Sequence, residues 1–150
     1  MAEDETIRFL ADGMLGRLAR WLRLLGYDTA YDNAADDLEL ARRARAEDRV
    51  LLTRDRELAA RRGLRTLLIE SEVLQEQVRQ VQQVWGPAPD PALSRCSLCN
   101  ALLEPAAHAE VAERVPPYVL RTQERFCVCP TCGRAYWAGT HVERMRQWIE

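Results

Sequence analysis

A chain of 150 residues with 47% hydrophobic composition suffices for one domain, or one domain with a small appendage, of ordinary soluble type. No apolar run approaches the ~20 residues of a membrane span, and the net charge of −2 neither demands nor forbids a polyanionic partner. Every basic residue is arginine, which bonds phosphate bidentately, so a local arginine face is compatible with a nucleic acid backbone; a solvated face favoured by coding bias or heat adaptation is the plainer reading.

The start Met1-Ala2-Glu3-Asp4-Glu5 is acidic, the opposite of a signal peptide's basic start, and a cytoplasmic protein is expected. Ile7 to Ala11 is a strand-like run ending on Asp12. Leu15, Leu18, Ala19, Leu22 and Leu25 then recur at helical spacing, with Arg17, Arg20 and Arg23 on the opposite face and Gly26 as the stop. A short second strand spans Tyr27 to Tyr31 and ends near Asp32. The next helix starts at Asp36, whose spacing to Glu39 has a capping-box layout, and Leu38, Ala41 and Ala44 give it a modest apolar face. Val50 to Thr53 is a third strand, running through Arg54 into Asp55. A helix from Arg56 to Arg62 stops at Gly63, and a fourth strand spans Arg65 to Glu70. A last helix, Glu72 to Trp85, aligns Val73, Gln77, Val78, Val81 and Val84 or Trp85.

Strand and helix alternating over short loops predict right-handed crossovers and a mainly parallel sheet with helices on both faces. The stretch Gly86-Pro87-Ala88-Pro89-Asp90-Pro91 breaks all periodicity and reads as a stiff linker. The expected division is an α/β domain at 1–85, a Pro-rich linker at 86–93 and a cysteine-bearing domain at 94–150.

In that last part, Cys96-Ser-Leu-Cys99 and Cys129-Pro-Thr-Cys132-Gly133 are two Cys-x-x-Cys knuckles, which together supply the four thiolates of a tetrahedral zinc site. Two disulfides are the alternative, disfavoured in a cytoplasmic chain. A closed four-thiolate shell holds a fold and does no catalysis. Cys127 reads as a small strand residue and His108 as a surface residue. His141 is either a packed residue at the start of a final helix or, beside Arg134, Tyr136 and Trp137, a nucleotide contact.

Asp12, Asp32, Asp36, Asp37, Asp55 and Glu57 all fall at or just after strand ends, which in a parallel sheet means one edge. Singly, each has a plain role as a helix cap or dipole partner. Asp36 explains its own cap and leaves Asp37 free; Thr53 offers an alternative cap for the third helix, which leaves Asp55 free. Carboxylates gathered at one edge repel unless a cation lies between them. Three or more around Mg²⁺ or Mn²⁺ are an arrangement for phosphodiester hydrolysis. No Ser, Cys or His in this half pairs with a base as a nucleophile would, and there is no glycine-rich phosphate loop.

Three blocks, Phe9-Leu10-Ala11-Asp12-Gly13-Met14-Leu15-Gly16-Arg17-Leu18-Ala19-Arg20-Trp21-Leu22-Arg23-Leu24-Leu25-Gly26-Tyr27-Asp28, Leu52-Thr53-Arg54-Asp55-Arg56-Glu57-Leu58 and Cys129 through His141, resemble the Mut-seven C-terminal RNase family in the right order over nearly the whole chain. The resemblance implies a PIN-like nuclease domain followed by a zinc ribbon. It carries Asp12, Asp37 and Asp55 over as ligands of a catalytic Mg²⁺ or Mn²⁺, with Asp36 as fallback for the helical acid and Asp32 or Glu57 as the fourth. Expected substrate contacts are Arg17, Arg20 and Arg54, with Arg134, Tyr136, Trp137 and His141 from the ribbon. The leading expectation is a metal-dependent ribonuclease acting on RNA. A non-catalytic RNA-binding module and a zinc-ribbon protein-interaction adaptor are the alternatives.

Overall fold

The structure, a computed structural model, describes residues 6–138, so Thr140, His141 and the expected C-terminal helix lie outside the described residues. Four strands, β1 (Arg8–Ala11), β2 (Asp28–Tyr31), β3 (Val50–Thr53) and β4 (Thr66–Leu68), form a wholly parallel sheet in the order β2-β1-β3-β4. Helices α1 (Gly16–Leu25), α2 (Asp37–Ala46), α3 (Arg56–Ala59) and α4 (Leu74–Trp85) make the connections after the four strands. Both faces are covered, which is why β3 is buried at every residue. Phe9, Ala11, Val50 and Leu52 face α1 and α4, and Leu10 and Leu51 face α2 and α3, as the two-residue strand period requires. Among the described residues no helix is long and apolar enough to cross a membrane.

The α1 stripe read from the sequence is buried as expected. Two other faces differ. In α2 the inward residues are Leu40, Ala41 and Ala44, while Leu38 is exposed; in α4, Leu74 joins Gln77, Val78 and Val81, Val73 faces solvent, and of Val84 and Trp85 it is Trp85 that packs on the core. The third helix is a single turn and ends well before Gly63. Arg23 is not on a solvated face. It is buried because its guanidinium donates to the carbonyls of Thr29 (2.7 Å), Ser97 (2.8 Å) and Leu98 (3.2 Å), which meets the cost of burying its charge.

The second half carries a three-stranded antiparallel sheet, β5 (Glu104–Ala106), β6 (Phe126–Val128) and β7 (Ala135–Trp137). Two short helices, α5 (His108–Val111) and α6 (Pro117–Thr122), intervene between β5 and β6. Val111, Val115, Val119 and Phe126 are its buried apolar cluster. The expected linker is packed: Ala88 and Leu93 lie against the α1/α4 core, and Leu93 N–H donates to Leu24 O at 2.8 Å. Gly26 permits this. It takes φ +107° at the end of α1, and a Cβ there would stand 2.1 Å from the Asp90 carbonyl oxygen. Gly26→Ala is therefore expected to cost roughly 2–4 kcal/mol, because a left-handed φ and a backbone collision add. A thermal melt with limited proteolysis checks it: the 86–93 segment becomes the first site cut, and an unchanged melt would refute the packing argument.

Candidate active site and metal centre

The carboxyl ends of β1 and β3 lie side by side, tied by the Asp12 N–H to Leu52 O bond at 3.1 Å. Asp12 caps the 3₁₀ turn Gly13–Leu15: its Oδ1 accepts from Met14 N–H at 3.0 Å. Its Oδ2 accepts from the hydroxyl of Thr53, a fully buried residue. The same hydroxyl oxygen accepts from Asp55 N–H at 3.0 Å, so Thr53 links the two acidic turns. Asp12 is only 6% exposed, and among the described residues no basic side chain pairs with it. A buried carboxylate left with spare lone pairs and no counter-charge is a donor suited to a hard cation.

Asp55, not Thr53, caps α3: its Oδ1 accepts from Glu57 N–H (2.9 Å) and Leu58 N–H (3.3 Å). Thr53 is not the cap: its hydroxyl donates to Asp12 and accepts from Asp55 N–H, and it reaches none of the α3 amides. Oδ2 of Asp55 has no protein donor among the described residues, and the residue is exposed. Asp36 caps α2 through Glu39 N–H at 2.9 Å, and Asp37, exposed, is the first residue of that helix. Asp32 closes its own turn by accepting from Ala34 N–H at 2.9 Å, and Glu57 is exposed on α3. Among the described residues, these acids are not drawn within 4.8 Å of one another as a set of three.

Arg17 and Arg20 are exposed and have no acidic partner among the described residues. With Arg23 they line a cavity of about 390 Å³ next to the Asp12 turn. Arg54 is partly committed, donating to Ile69 O at 3.3 Å and lying 3.8 Å from Glu72. Arg134 is exposed. Tyr136 and Trp137 are engaged within the ribbon: Tyr136 Oη accepts from Ser97 N–H at 3.0 Å and lies 3.1 Å from Cys96 Sγ, and Trp137 packs edge-on to Phe126.

All five cysteines are free thiols, which sets aside the disulfide alternative. The ligand atoms of Cys96, Cys99, Cys129 and Cys132 lie within 4.8 Å of one another. Cys96 and Cys132 are 3.8 Å apart at sulfur, and a tetrahedron of ~2.3 Å Zn–S bonds has edges of about 3.8 Å. The donor set and its spacing fit zinc. Each knuckle repeats one design. Cys99 N–H points to Cys96 Sγ and Cys132 N–H to Cys129 Sγ, both at 3.4 Å. The following residue is left-handed in both, Asn100 at φ +65° and Gly133 at φ +79°. Burial pushes the Cys96 thiol up, but hydrogen bonds from Tyr136, from the Cys99 and Leu98 amides and from Cys132 bring it down to about 7. Cys99 is pushed up to about 12, first by its hydrogen bond with Cys132. Cys127 lies in β6, outside this cluster, and His108 is exposed, with its ring nitrogen 2.9 Å from Gln123 O.

Sequence reasoning missed the staple that joins the two halves. Asn100 does more than turn the first knuckle: Oδ1 accepts from Thr29 N–H (3.0 Å) and Nδ2 donates to Asp28 Oδ1 (2.7 Å). Asp28 also accepts from Arg49 at 2.9 Å, with Arg95 at 3.9 Å. The only local signal was an asparagine where the second knuckle has glycine. Burial raises the Asp28 pKa, but the Asn100 and Arg49 hydrogen bonds and the two guanidinium charges outweigh it and hold the carboxyl below its ordinary 3.8. A depressed folded value means the stabilisation is present above the ordinary pKa and fades as pH falls through the depressed one. Asp28→Asn is expected to cost about 2 kcal/mol at neutral pH. Urea titrations at pH 7 and near pH 2 check it, because the wild-type and variant curves should converge at the acid end.

No curated protein and no solved structure matches the chain. The model of the Mut7-C RNase domain matches residues 7–149, and on that match the chain belongs to the Mut7-C RNase domain family.

Proposed function

We propose that this chain is a PIN-like, metal-dependent ribonuclease that hydrolyses RNA phosphodiester bonds at the carboxyl edge of its parallel sheet. The observation that carries the reading is Asp12: a buried carboxylate without a basic partner among the described residues, joined through Thr53 to Asp55 in the turn after the neighbouring strand, in a chain of an RNase family. Asp12, Asp55 and Asp37 would hold Mg²⁺ or Mn²⁺, with Asp36 as the fallback for the helical acid and Asp32 or Glu57 as the fourth. Such an ion, when bound, supplies Lewis acidity toward the phosphate and lowers the pKa of water.

The protein's own part is positioning. Thr53 and the Met14 amide fix both oxygens of Asp12, so this carboxylate is oriented before any cation arrives. The cap bonds fix the rotamer of Asp55 through Oδ1 and leave Oδ2 open. Arg17 and Arg20, with Arg54 and Arg134, would hold the substrate's phosphates. The four thiolates would hold a structural zinc that takes no part in the chemistry, and Tyr136 and Trp137 serve that half's packing.

One observation favours a second reading, a non-catalytic RNA-binding module. Asp32, Asp36 and Asp55 each use a carboxylate oxygen on their own turn, the role that helix capping alone would give them. Mn²⁺-dependent cleavage and RNA binding by wild type and by the Asp12→Asn, Asp55→Asn double variant separate the two. Cleavage lost in the variant supports the ribonuclease. Binding without cleavage in both supports the module, and equal cleavage in both overturns the assignment of the acids.

A further inference from the structure

The 390 Å³ cavity beside Asp12 has two walls from different halves of the chain: Met14, Gly16, Arg17, Arg20, Arg23 and Tyr31 on one side, Ser97 and Leu98 of the first cysteine knuckle on the other. That volume falls within the ~300–1,000 Å³ of small-ligand sites. No acidic residue lines it, so the exposed Arg17 and Arg20 face the cavity without a counter-charge in its wall, while the guanidinium of Arg23 is bonded to backbone carbonyls. An anion is the occupant that this charge pattern accepts.

The rim is not only basic. Met14 is 77% exposed and Leu98 44%, and both border the cavity. The ring of Tyr31 lines it, anchored by its hydroxyl donating to Gly13 O at 2.9 Å. Phosphate charge beside apolar and aromatic surface suits a nucleotide whose base is unstacked; a duplex keeps its bases inside and presents only phosphate. Position fits as well, because Met14 N–H is itself a donor to Asp12.

We propose that this cavity is a nucleotide subsite built jointly by α1 and the first zinc knuckle, which holds one unpaired nucleotide of the RNA next to the bond cut at Asp12. The site rests on the ribonuclease reading for its substrate but not for its existence. Arg17 and Arg20 bind the flanking phosphates, and Met14, Tyr31 and Leu98 receive the base. Arg23 is the positioning residue. Its bonds to Ser97 O and Leu98 O hold the knuckle as the second wall, so the ribbon shapes the substrate groove rather than hanging beside it.

The test is binding of a fluorescent single-stranded oligoribonucleotide, and of a duplex of the same sequence, to the full chain with its zinc in place. Arg17→Ala with Arg20→Ala should weaken single-strand binding at least about 10-fold. It should also reduce the slope of log affinity against log salt by about 1.4, two phosphate contacts' worth for a single strand. Leu98→Asp, at an exposed knuckle position that is not a zinc ligand, should weaken single-strand binding about as much while zinc content stays at one per chain. Unchanged single-strand binding in either variant overturns the subsite, and so does an equal loss for the duplex. The two readings fail separately. Mn²⁺-dependent cleavage with arginine-independent binding sinks the subsite alone, whereas arginine- and Leu98-dependent binding without cleavage sinks the nuclease alone.

Discussion

Removing zinc with a chelator, or replacing Cys96 by serine, is expected to unfold the three-stranded half of the chain while the parallel sheet stays folded. Strands β5, β6 and β7 are three residues each, and the buried apolar cluster between them and α5 and α6 is Val111, Val115, Val119 and Phe126. Ordering a residue costs about 1.5 kcal/mol, so four buried side chains do not offset the ordering of that half. Zinc on four thiolates contributes on the order of 10–16 kcal/mol in comparable small domains, as much as the whole net stability of a typical protein. The parallel sheet has a two-sided core of its own and should melt in a separate, later transition. Its melting temperature should still fall, because the Asn100 and Arg23 bonds across the junction disappear with the knuckle. Metal analysis giving one zinc per chain, followed by NMR of the chelated protein, decides the matter. Dispersed amide signals for β5 to β7 without metal would show that the ribbon folds on packing alone.

That asymmetry between the halves also decided what could be read in advance. β1 and β3 were legible because each is a run of apolar residues buried on both faces and closed by an aspartate, and Gly26 announced its own left-handed turn. The knuckles were legible because ligand spacing is a local property. The region between them was not: helices of four and six residues and strands of three are too short for any period to register. The apolar faces of α2 and α4 were misjudged where Leu38 and Val73 fit the spacing yet face water, since sheet packing and not spacing selects the inward stripe; of the pair Val84 or Trp85, it is Trp85 that packs on the core.

The residues that arrange the site were hidden for a different reason. Thr53 finds Asp12 across 41 positions, Asn100 finds Thr29 across 71, and Arg23 finds Ser97 across 74. Nothing near each residue in the chain marks its partner. Arg23 in particular shares helical spacing with Arg17 and Arg20, which are exposed. What distinguishes it is the carbonyl acceptors around it, Thr29 O of β2 and Ser97 O and Leu98 O of the docked knuckle.

The largest functional effect is expected at Asp12. Asp12→Asn keeps the shape and an acceptor for Met14 N–H but removes the charge that would hold a divalent cation, and cleavage should fall about 10³-fold or more, the equivalent of some 4 kcal/mol. Asp55→Asn should cost as much. If both carboxylates serve one ion, the double variant should be little worse than either single one, because residues that act as a unit are not additive. Thr53→Val separates orientation from ligation. It leaves both carboxylates but removes the hydroxyl that fixes Asp12 Oδ2 and accepts from Asp55 N–H, so a smaller loss of about 10- to 100-fold is expected, the size typical of a lost outer-shell partner. That loss should be partly recovered by raising Mn²⁺, whereas Asp12→Asn should not recover. A steady-state titration of Mn²⁺ across the variants reads all of this at once. Full additivity of Asp12→Asn and Asp55→Asn would show that the two strand ends do not share an ion, and an Asp12→Asn protein that cleaves like the wild type would show that Asp12 is a cap like its neighbours.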